Sequence, residues 1–294
     1  MSDFIHNFSE KLETLGKVLV EQEKPLGLFS EFTQTIDPKV NSIELAGSAL
    51  VEQYEVKEEE GKGNDALNYH SPNFDVKKYI TATTKGVASS VPFKRIEELA
   101  TSEEQVSALQ VSLVQNLYKS QSLYRYADVS KALKDFIKEG KIKNPAICKI
   151  LDSDYNFLTA LNLYYDLLQV PTKNLTVYQP TKNVRYNQAE DIVLITSPEQ
   201  LEKIKKIERD NLGMLEETFK KVNIIKVDQE FLGKTENNKD VVAYILPKSA
   251  LMIFENSRIG TQENNKYEFL NYFLNTNRTI VVNPFQPVIQ FTSK

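Results

Sequence analysis

Asp191-Ile192-Val193-Leu194-Ile195-Thr196-Ser197-Pro198-Glu199 is the stretch from which the fold is read. Its first half is a continuous apolar run of strand length, as expected of a strand covered on both faces. Its second half turns at once into a helix start, with Ser197 placed as cap and Pro198 at the first helical position. A buried strand feeding a helix of about Glu199 to Ile207 sets a layered arrangement of helices on a sheet. Further strands are expected at Asn223–Asp228 and at Val241–Leu246. Pro247 to Leu251 reads as a short helix or turn, and Thr279–Asn283 and Pro287–Phe291 as two short closing strands. The strands are short and their connections uneven, which predicts α+β in preference to a wound parallel sheet.

Upstream of that stretch the apolar period changes to three and four. Asp154 reads as the cap of a helix over Tyr155–Gln169, which contains Phe157, Leu158, Leu161, Leu163, Tyr164, Leu167 and Leu168 and ends before Pro171. Leu123–Glu139, closed by Gly140, is expected to be another, facing inward with Tyr126, Val129, Leu133, Phe136 and Ile137. From Phe93 to Tyr118 the residues Ile96, Leu99, Val106, Leu109, Leu113 and Leu117 predict a long amphipathic helix. Thr101 or Ser102, followed by Glu103 and Glu104, could open a second helix inside it. The chain begins with an amphipathic helix over Asp3–Val20, followed by an irregular, extended connection from Lys24 to Val40 broken by Pro25, Gly27 and Pro38.

Between these lies a segment of a different kind. Ile43–Val56 carries strand-forming residues, Glu58-Glu59-Glu60-Gly61-Lys62-Gly63-Asn64-Asp65 is a polar, glycine-rich tip, and Phe74, Val76, Tyr79, Ile80 and Thr81–Thr84 restore β-favouring residues. The whole reads as a long two-stranded hairpin. An isolated pair of strands is marginal in water, so such an arm is expected to lie on another part of the protein or on a neighbouring subunit.

Composition narrows the chemistry. The chain has 294 residues, 41% hydrophobic and 26% charged, which suits a folded chain of one large or two modest domains. Lys and Arg number 36 against 40 Asp and Glu, with no basic stripe, which argues against an electrostatic clamp for sequence-specific DNA binding. Cys148, the one cysteine, excludes intramolecular disulfides and cysteine-based zinc clusters, and reads as a small buried hydrophobe. The segment Met1–Gly16 lacks the apolar core of a signal peptide, and no window approaches a membrane span, so synthesis in the cytoplasm without export is expected. The Asn-x-Ser/Thr matches at Asn7, Asn174 and Asn277 are then chance patterns.

His6 and His70 are the only histidines, one near the terminus and one beside the hairpin tip, and neither reads as a catalytic base. Gly61-Lys62-Gly63 lacks the spacing of a phosphate loop, and the usual dinucleotide, nucleophile-elbow and zinc-protease patterns are missing from the sequence. The pairs Glu97/Glu98 and Glu216/Glu217 read as solvated helix faces. Tyr164-Tyr165 and the series Tyr267, Phe269, Tyr272, Phe273, taken at helical spacing, read as packing or subunit contact. The expectation is a chain with no catalytic, cofactor-binding or metal-binding residues, and no enzyme.

The order of elements, with an arm, a polar-tipped hairpin, a long helix and then a helix-and-sheet region, resembles the major capsid proteins of tailed bacteriophages. That is the Hong-Kong-97-type fold, shared with encapsulin shells. The phrases Asp191–Glu199, Val222–Phe231, Asp240–Ser249, Glu255–Gln262 and Arg278–Pro287 are similar to phage coat proteins in their wording. The resemblance implies an N-terminal arm over residues 1–42, an extended loop over 43–90 and a peripheral domain with its spine helix over 91–145. An axial domain over 146–253 follows, and 254–294 returns to the peripheral domain. It further implies self-assembly into hexamers and pentamers of an icosahedral shell around double-stranded DNA held without sequence specificity. Portal, scaffolding or decoration proteins are then possible partners, no membrane is involved, and the chain ends in the virion after assembly in the host cytoplasm. An encapsulin-type compartment, another virion component such as a tail or adaptor protein, and a soluble carboxylate- or metal-dependent enzyme are the alternatives. Many Lys and Asn are available for crosslinks between subunits, but no group to catalyse them is assigned and none is expected.

Overall fold

The run Ile192–Thr196 is a strand whose five residues are all buried, in a computed structural model that describes residues 2–22, 28–37, 40, 42–48, 74–80, 84–99, 102–138, 147–149, 154–170, 187–210, 222–235 and 238–293. Two compact units share the chain. One comprises residues 1–42, 80–135 and 252–281, and the other 43–79, 136–251 and 282–294.

The second unit is built on a five-stranded mixed sheet. Its strands are β5 (Ile147–Lys149), β6 (Ile192–Thr196), β7 (Asn223–Lys226), β8 (Val241–Pro247) and β11 (Ile289–Thr292), in the order β5-β11-β8-β6-β7. β6 pairs parallel to β7 and antiparallel to β8, so it is interior, as the unbroken apolar run requires. One face carries Ile192, Leu194, Ala243, Ile245, Ile289 and Phe291 against Phe157, Leu158, Leu161 and Leu168 of α4 (Asp154–Gln169) and Ile204 of α5 (Pro198–Asp210). The Phe291 ring meets Phe157 edge-on at 5.2 Å between centroids. The other face holds Tyr244, whose hydroxyl donates to the carbonyl of Leu232 at 3.4 Å at the end of α6 (Gln229–Leu232). Ser197 caps α5 as expected, its Oγ accepting from the Gln200 N–H at 3.2 Å. The hairpin strands β2 (Ser42–Ser48) and β3 (Phe74–Ile80) form a two-stranded ribbon, and the Tyr79 hydroxyl donates to the Val282 carbonyl at 3.2 Å.

The first unit has a four-stranded sheet in the order β1-β9-β10-β4, formed by β1 (Thr33–Thr35), β4 (Lys85–Pro92), β9 (Leu251–Asn264) and β10 (Phe269–Val282). Three helices, α1 (Ser2–Gln22), α2 (Phe93–Leu99) and the 36-residue α3 (Glu103–Lys138), supply its core. Ile5, Phe8 and Leu12 of α1 meet Ile96, Leu113, Val114 and Leu117 over Leu270, Tyr272, Leu274 and Ile259. Each such side chain, fully buried, contributes about 1.5–3 kcal/mol. Polar contacts fix the register of α1. Glu13 accepts from the N–H and Oγ1 of Thr261 at 2.9 and 2.6 Å, and Gln110 donates to the Phe8 carbonyl at 3.0 Å.

Several expectations are corrected. A second helix does open after Ser102, whose Oγ accepts from the Gln105 N–H at 3.3 Å: α2 ends at Leu99 and α3 begins at Glu103. The separate helix expected at Leu123, however, is the continuation of α3. Lys119-Ser120-Gln121-Ser122 interrupts the apolar period without a glycine or proline to break the hydrogen-bond ladder. Lys24–Val40, expected to be irregular, contains the 3-10 turn Ser30–Phe32 and β1, which lies parallel to β9. Of the series read at helical spacing, Tyr267 lies in the turn before β10 and Phe269, Tyr272 and Phe273 stand on the strand, where Leu270, Tyr272 and Leu274 alternate inward. Thr279–Asn283 is no separate strand but mostly the end of β10. β4, expected to lie within the 43–90 hairpin, is paired with β10. Residues 254–294 do not return as one piece. β11 lies between β5 and β8, with all four residues buried, Gln290 among them donating to the Tyr244 hydroxyl at 3.2 Å. Glu58–Asp65, His70, Gly140, Asn174, Gly61–Gly63 and Glu216/Glu217 lie outside the described residues.

Candidate functional site

Gln121, Arg125 and Asp128 are spaced by four and three residues, which brings them onto one face of α3. On β10 the inward positions 270, 272 and 274 are apolar, and the next two in the same alternation are Thr276 and Arg278, so the sheet face turns polar there. Glu255 of β9 is the anion between them. Arg125 forks onto its carboxylate, Nε to Oε2 at 3.1 Å and Nη2 to Oε1 at 3.0 Å, while Arg278 Nε donates to Oε2 at 2.9 Å. Arg278 Nη1 also reaches Asp128 Oδ2 at 3.1 Å, Nη2 reaches the Gln121 carbonyl at 3.4 Å, and Lys85 of β4 closes on Asp128 Oδ1 at 3.2 Å.

Arg125, Arg278 and Glu255 are all buried, Asp128 is partly buried and Lys85 is exposed. Burial alone pushes the Glu255 carboxyl up. Hydrogen bonds from Arg125 and Arg278, with their positive charge, outweigh it and hold the group below the ordinary carboxylate range. A carboxylate so held stays ionised and is a poor proton acceptor. Its chemistry is mechanical, tying α3 to two strands of one sheet.

A groove of about 400 Å³ opens beside this cluster, lined by Lys85, Gly86 and Val87 of β4, Gln121, Tyr124 and Asp128 of α3, and Thr276 and Arg278 of β10. Tyr124, 59% exposed, and its neighbour Leu123, 71% exposed, are large apolar surfaces presented to solvent in the middle of α3. A second exposed feature is the β9–β10 tip, where Tyr267 stacks on Phe269 at 6.4 Å and Lys266 Nζ sits 5.2 Å from the Tyr267 ring centroid.

The residues weighed from sequence are not gathered by the structure. His6 lies between Glu263, 3.2 Å from Nδ1, and Glu10, 3.4 Å from Nε2, on the exposed side of α1. Glu98 pairs with Arg95 at 3.6 Å on α2. Tyr164 packs edge-on against Phe291 and Tyr165 is buried in the same core. Cys148 lies on β5. Among the described residues, no group of three His, Cys, Asp or Glu is placed to hold a metal ion, and no helix is long and apolar enough to cross a membrane. Arg125, Asp128, Glu255 and Arg278 were not singled out as a cluster, although the coat-like phrases Glu255–Gln262 and Arg278–Pro287 begin on two of them. A charged residue inside a strand's inward alternation was the available signal.

The sequence profile of a family described as "Phi29-like phage major capsid protein" matches residues 1–292. Among solved structures, the chain is similar to one in the capsid of Staphylococcus phage Andhra, with a TM-score of 0.69, 11% identity and coverage of 90% of this chain and 83% of that one. It is also similar to a chain of the cyanophage P-SCSP1u capsid, with a TM-score of 0.56, 10% identity and coverage of 92% and 89%. A chain of the bacteriophage PhiM1 mature capsid gives a TM-score of 0.56 at 8% identity, covering 92% and 87%. At such identities the likeness speaks for the fold, which is of the Hong-Kong-97 type. No curated protein matches the sequence.

Proposed function

This chain belongs to the Phi29-like phage major capsid protein family, and from that premise we propose how its parts build a shell. It is the major capsid protein of a tailed phage, a structural component of the virion that associates with copies of itself. In the proposed arrangement the first compact unit is the peripheral domain, with α3 as its spine, and the sheet of the second unit is the axial domain. Residues 43–84 form the extended loop lying over a neighbouring subunit, where main-chain pairing supplies what two strands lack alone. Hexamers and pentamers enclose double-stranded DNA held without sequence specificity, consistent with an overall charge of −4. Assembly in the host cytoplasm, with portal, scaffolding or decoration proteins, completes the reading. A role without catalysis fits the Glu255 cluster, whose charges are spent on one another.

The family match over residues 1–292 carries this reading. Negative-stain microscopy and sedimentation of the purified recombinant chain test it, with and without deletion of residues 58–65. Closed shells or rings, altered by the deletion, are expected. A monomer in every condition would overturn it.

A further inference from the structure

The four-stranded sheet of the first unit has two unlike faces. Helices α1, α2 and α3 all pack on the face of Ile259, Leu270, Tyr272 and Leu274. Side chains alternate along a strand, so the opposite face is made by the even positions 254–264 of β9, the odd positions 269–277 of β10 and positions 86, 88 and 90 of β4. Two contacts across the strands agree with this assignment. Ser90 Oγ donates to Asn271 Oδ1 at 2.6 Å, and the Phe273 ring lies over Gly260. None of these fourteen residues is buried.

In a chain that is 26% charged, this face is nearly uncharged. Six of its fourteen residues are Asn or Gln, three are Phe, and Arg258 is the one ionised side chain. The other charges of β9 and β10 turn to the helix side, Glu255 to Arg125, Glu263 to His6 and Arg278 to Asp128. Two glycines flatten the surface. A Cβ at Gly260 would lie 2.7 Å from the Phe273 ring, and one at Gly86 would lie 2.6 Å from Asn275 Oδ1. Ring and amide therefore lean over the strands on either side of β10 instead of standing off the sheet. At the tip, Tyr267 and Phe269 are within 17° of parallel, which continues the flat aromatic surface.

We propose that this open sheet face binds a neutral polysaccharide with an extended, ribbon-like backbone of the cellulose or chitin kind. Such a ribbon has flat faces of C–H groups and edges of hydroxyls that both donate and accept. Phe269 and Phe273 offer ring surface to the flat faces. Asn and Gln amides, which also donate and accept, match the hydroxyls. Outward side chains recur every 6.5–6.8 Å or so along a strand and about 4.8 Å between strands, so Asn271, Asn275 and Asn277 form a row beside the rings. A charged partner would meet one counter-charge here, Arg258, and a nucleic acid needs many. The proposal goes beyond the shell-building role and is tested apart from it.

Co-sedimentation of the full chain with insoluble cellulose and chitin tests it, on the unassembled protein and on shells. Retention of both forms on at least one of the two polymers is expected. Phe273→Ala and Asn275→Ala should each weaken binding about tenfold, as loss of one ring or one hydrogen-bonding group implies. Gln115→Ala, on the exposed side of α3, should leave it unchanged. If Phe273→Ala fails to fold, Asn275→Ala decides, its melting temperature being compared with that of the wild type. Retention on neither polymer, or equal retention in all variants, would overturn the proposal. So would retention of the unassembled chain but not of shells, since the face would then be covered on assembly. Binding confined to dextran sulfate would reduce the site to ion exchange at Arg258 and overturn it too. Each of these results leaves the capsid role standing. Failure of the wild-type chain to form shells would instead count against the capsid reading, and the unassembled chain would then decide the proposal alone.

Discussion

Arg125 and Arg278 approach the same carboxylate oxygen of Glu255, at 3.1 and 2.9 Å, from a helix and a strand whose sequence positions are 153 residues apart. One anion between two buried cations is a strong constraint in one direction only. Removing it leaves both arginines without their principal counter-charge. Glu255→Gln should therefore cost about 3–5 kcal/mol, the range for breaking a buried pair. Urea unfolding of the unassembled chain measures it, and a loss under about 1 kcal/mol would show that water reaches the arginines freely.

The same residue sets a pH dependence. Its carboxyl is held below the ordinary range in the folded chain, so unfolding raises its affinity for protons. The stabilisation is present in full above the unfolded carboxylate value and drains away as pH falls through the depressed folded value. Wild-type stability should thus drop on acidification below the usual carboxylate range by more than that of Glu255→Gln. Parallel acid titrations of the two chains would expose any error in this assignment as identical slopes.

Gly260 faces Phe273 across the β9–β10 pair so closely that an added Cβ would lie 2.7 Å from the ring. Gly260→Ala must displace that ring, at about 1–3 kcal/mol for overpacking. The double variant Gly260→Ala/Phe273→Leu should recover part of the loss, since residues in contact do not add. Strict additivity in denaturation would mean that the ring moves without cost.

How much of this was legible in the sequence depends on the residue. Ile192–Thr196 and the Ser197-Pro198 start were read correctly because every residue there obeys one local preference. α3 was read as two pieces because Lys119–Ser122 is polar although Gln121 is buried, its carbonyl receiving Arg278 from a distant strand. β9 was missed for a related reason. Glu255, Ser257 and Thr261 occupy inward or half-buried positions where their partners, Arg125, Thr276 and Glu13, come from elsewhere in the chain. Long-range polar pairing reads locally as a solvated loop, and the charge cluster was passed over for that same cause.

Ser197 offers a check on what was legible. Its Oγ accepts from the Gln200 N–H at 3.2 Å, satisfying one free donor of the first turn of α5. Ser197→Ala should cost about 1 kcal/mol and Ser197→Asp next to nothing, since both native and replacement side chains accept that bond. Equal losses in the two variants would place the role of Ser197 in its environment and not in the cap.

Tyr244 is buried at the centre of the five-stranded sheet, its hydroxyl donating to the Leu232 carbonyl and accepting from Gln290 Nε2 at 3.2 Å. Burial pushes its pKa up to about 12, against a smaller lowering by the Gln290 hydrogen bond. The neutral phenol is the form the sheet holds. Because the folded value is raised, the native chain keeps this proton where an unfolded chain would lose it, and folding is progressively disfavoured as pH rises through the ordinary tyrosine range toward 12. Difference ultraviolet titration, comparing wild type with Tyr244→Phe, should show one phenol ionising only together with unfolding. A reversible ionisation of that phenol near pH 10 in the folded chain would mean that the sheet is open to water at Tyr244, and the packing of α6 over β8 would have to be redrawn.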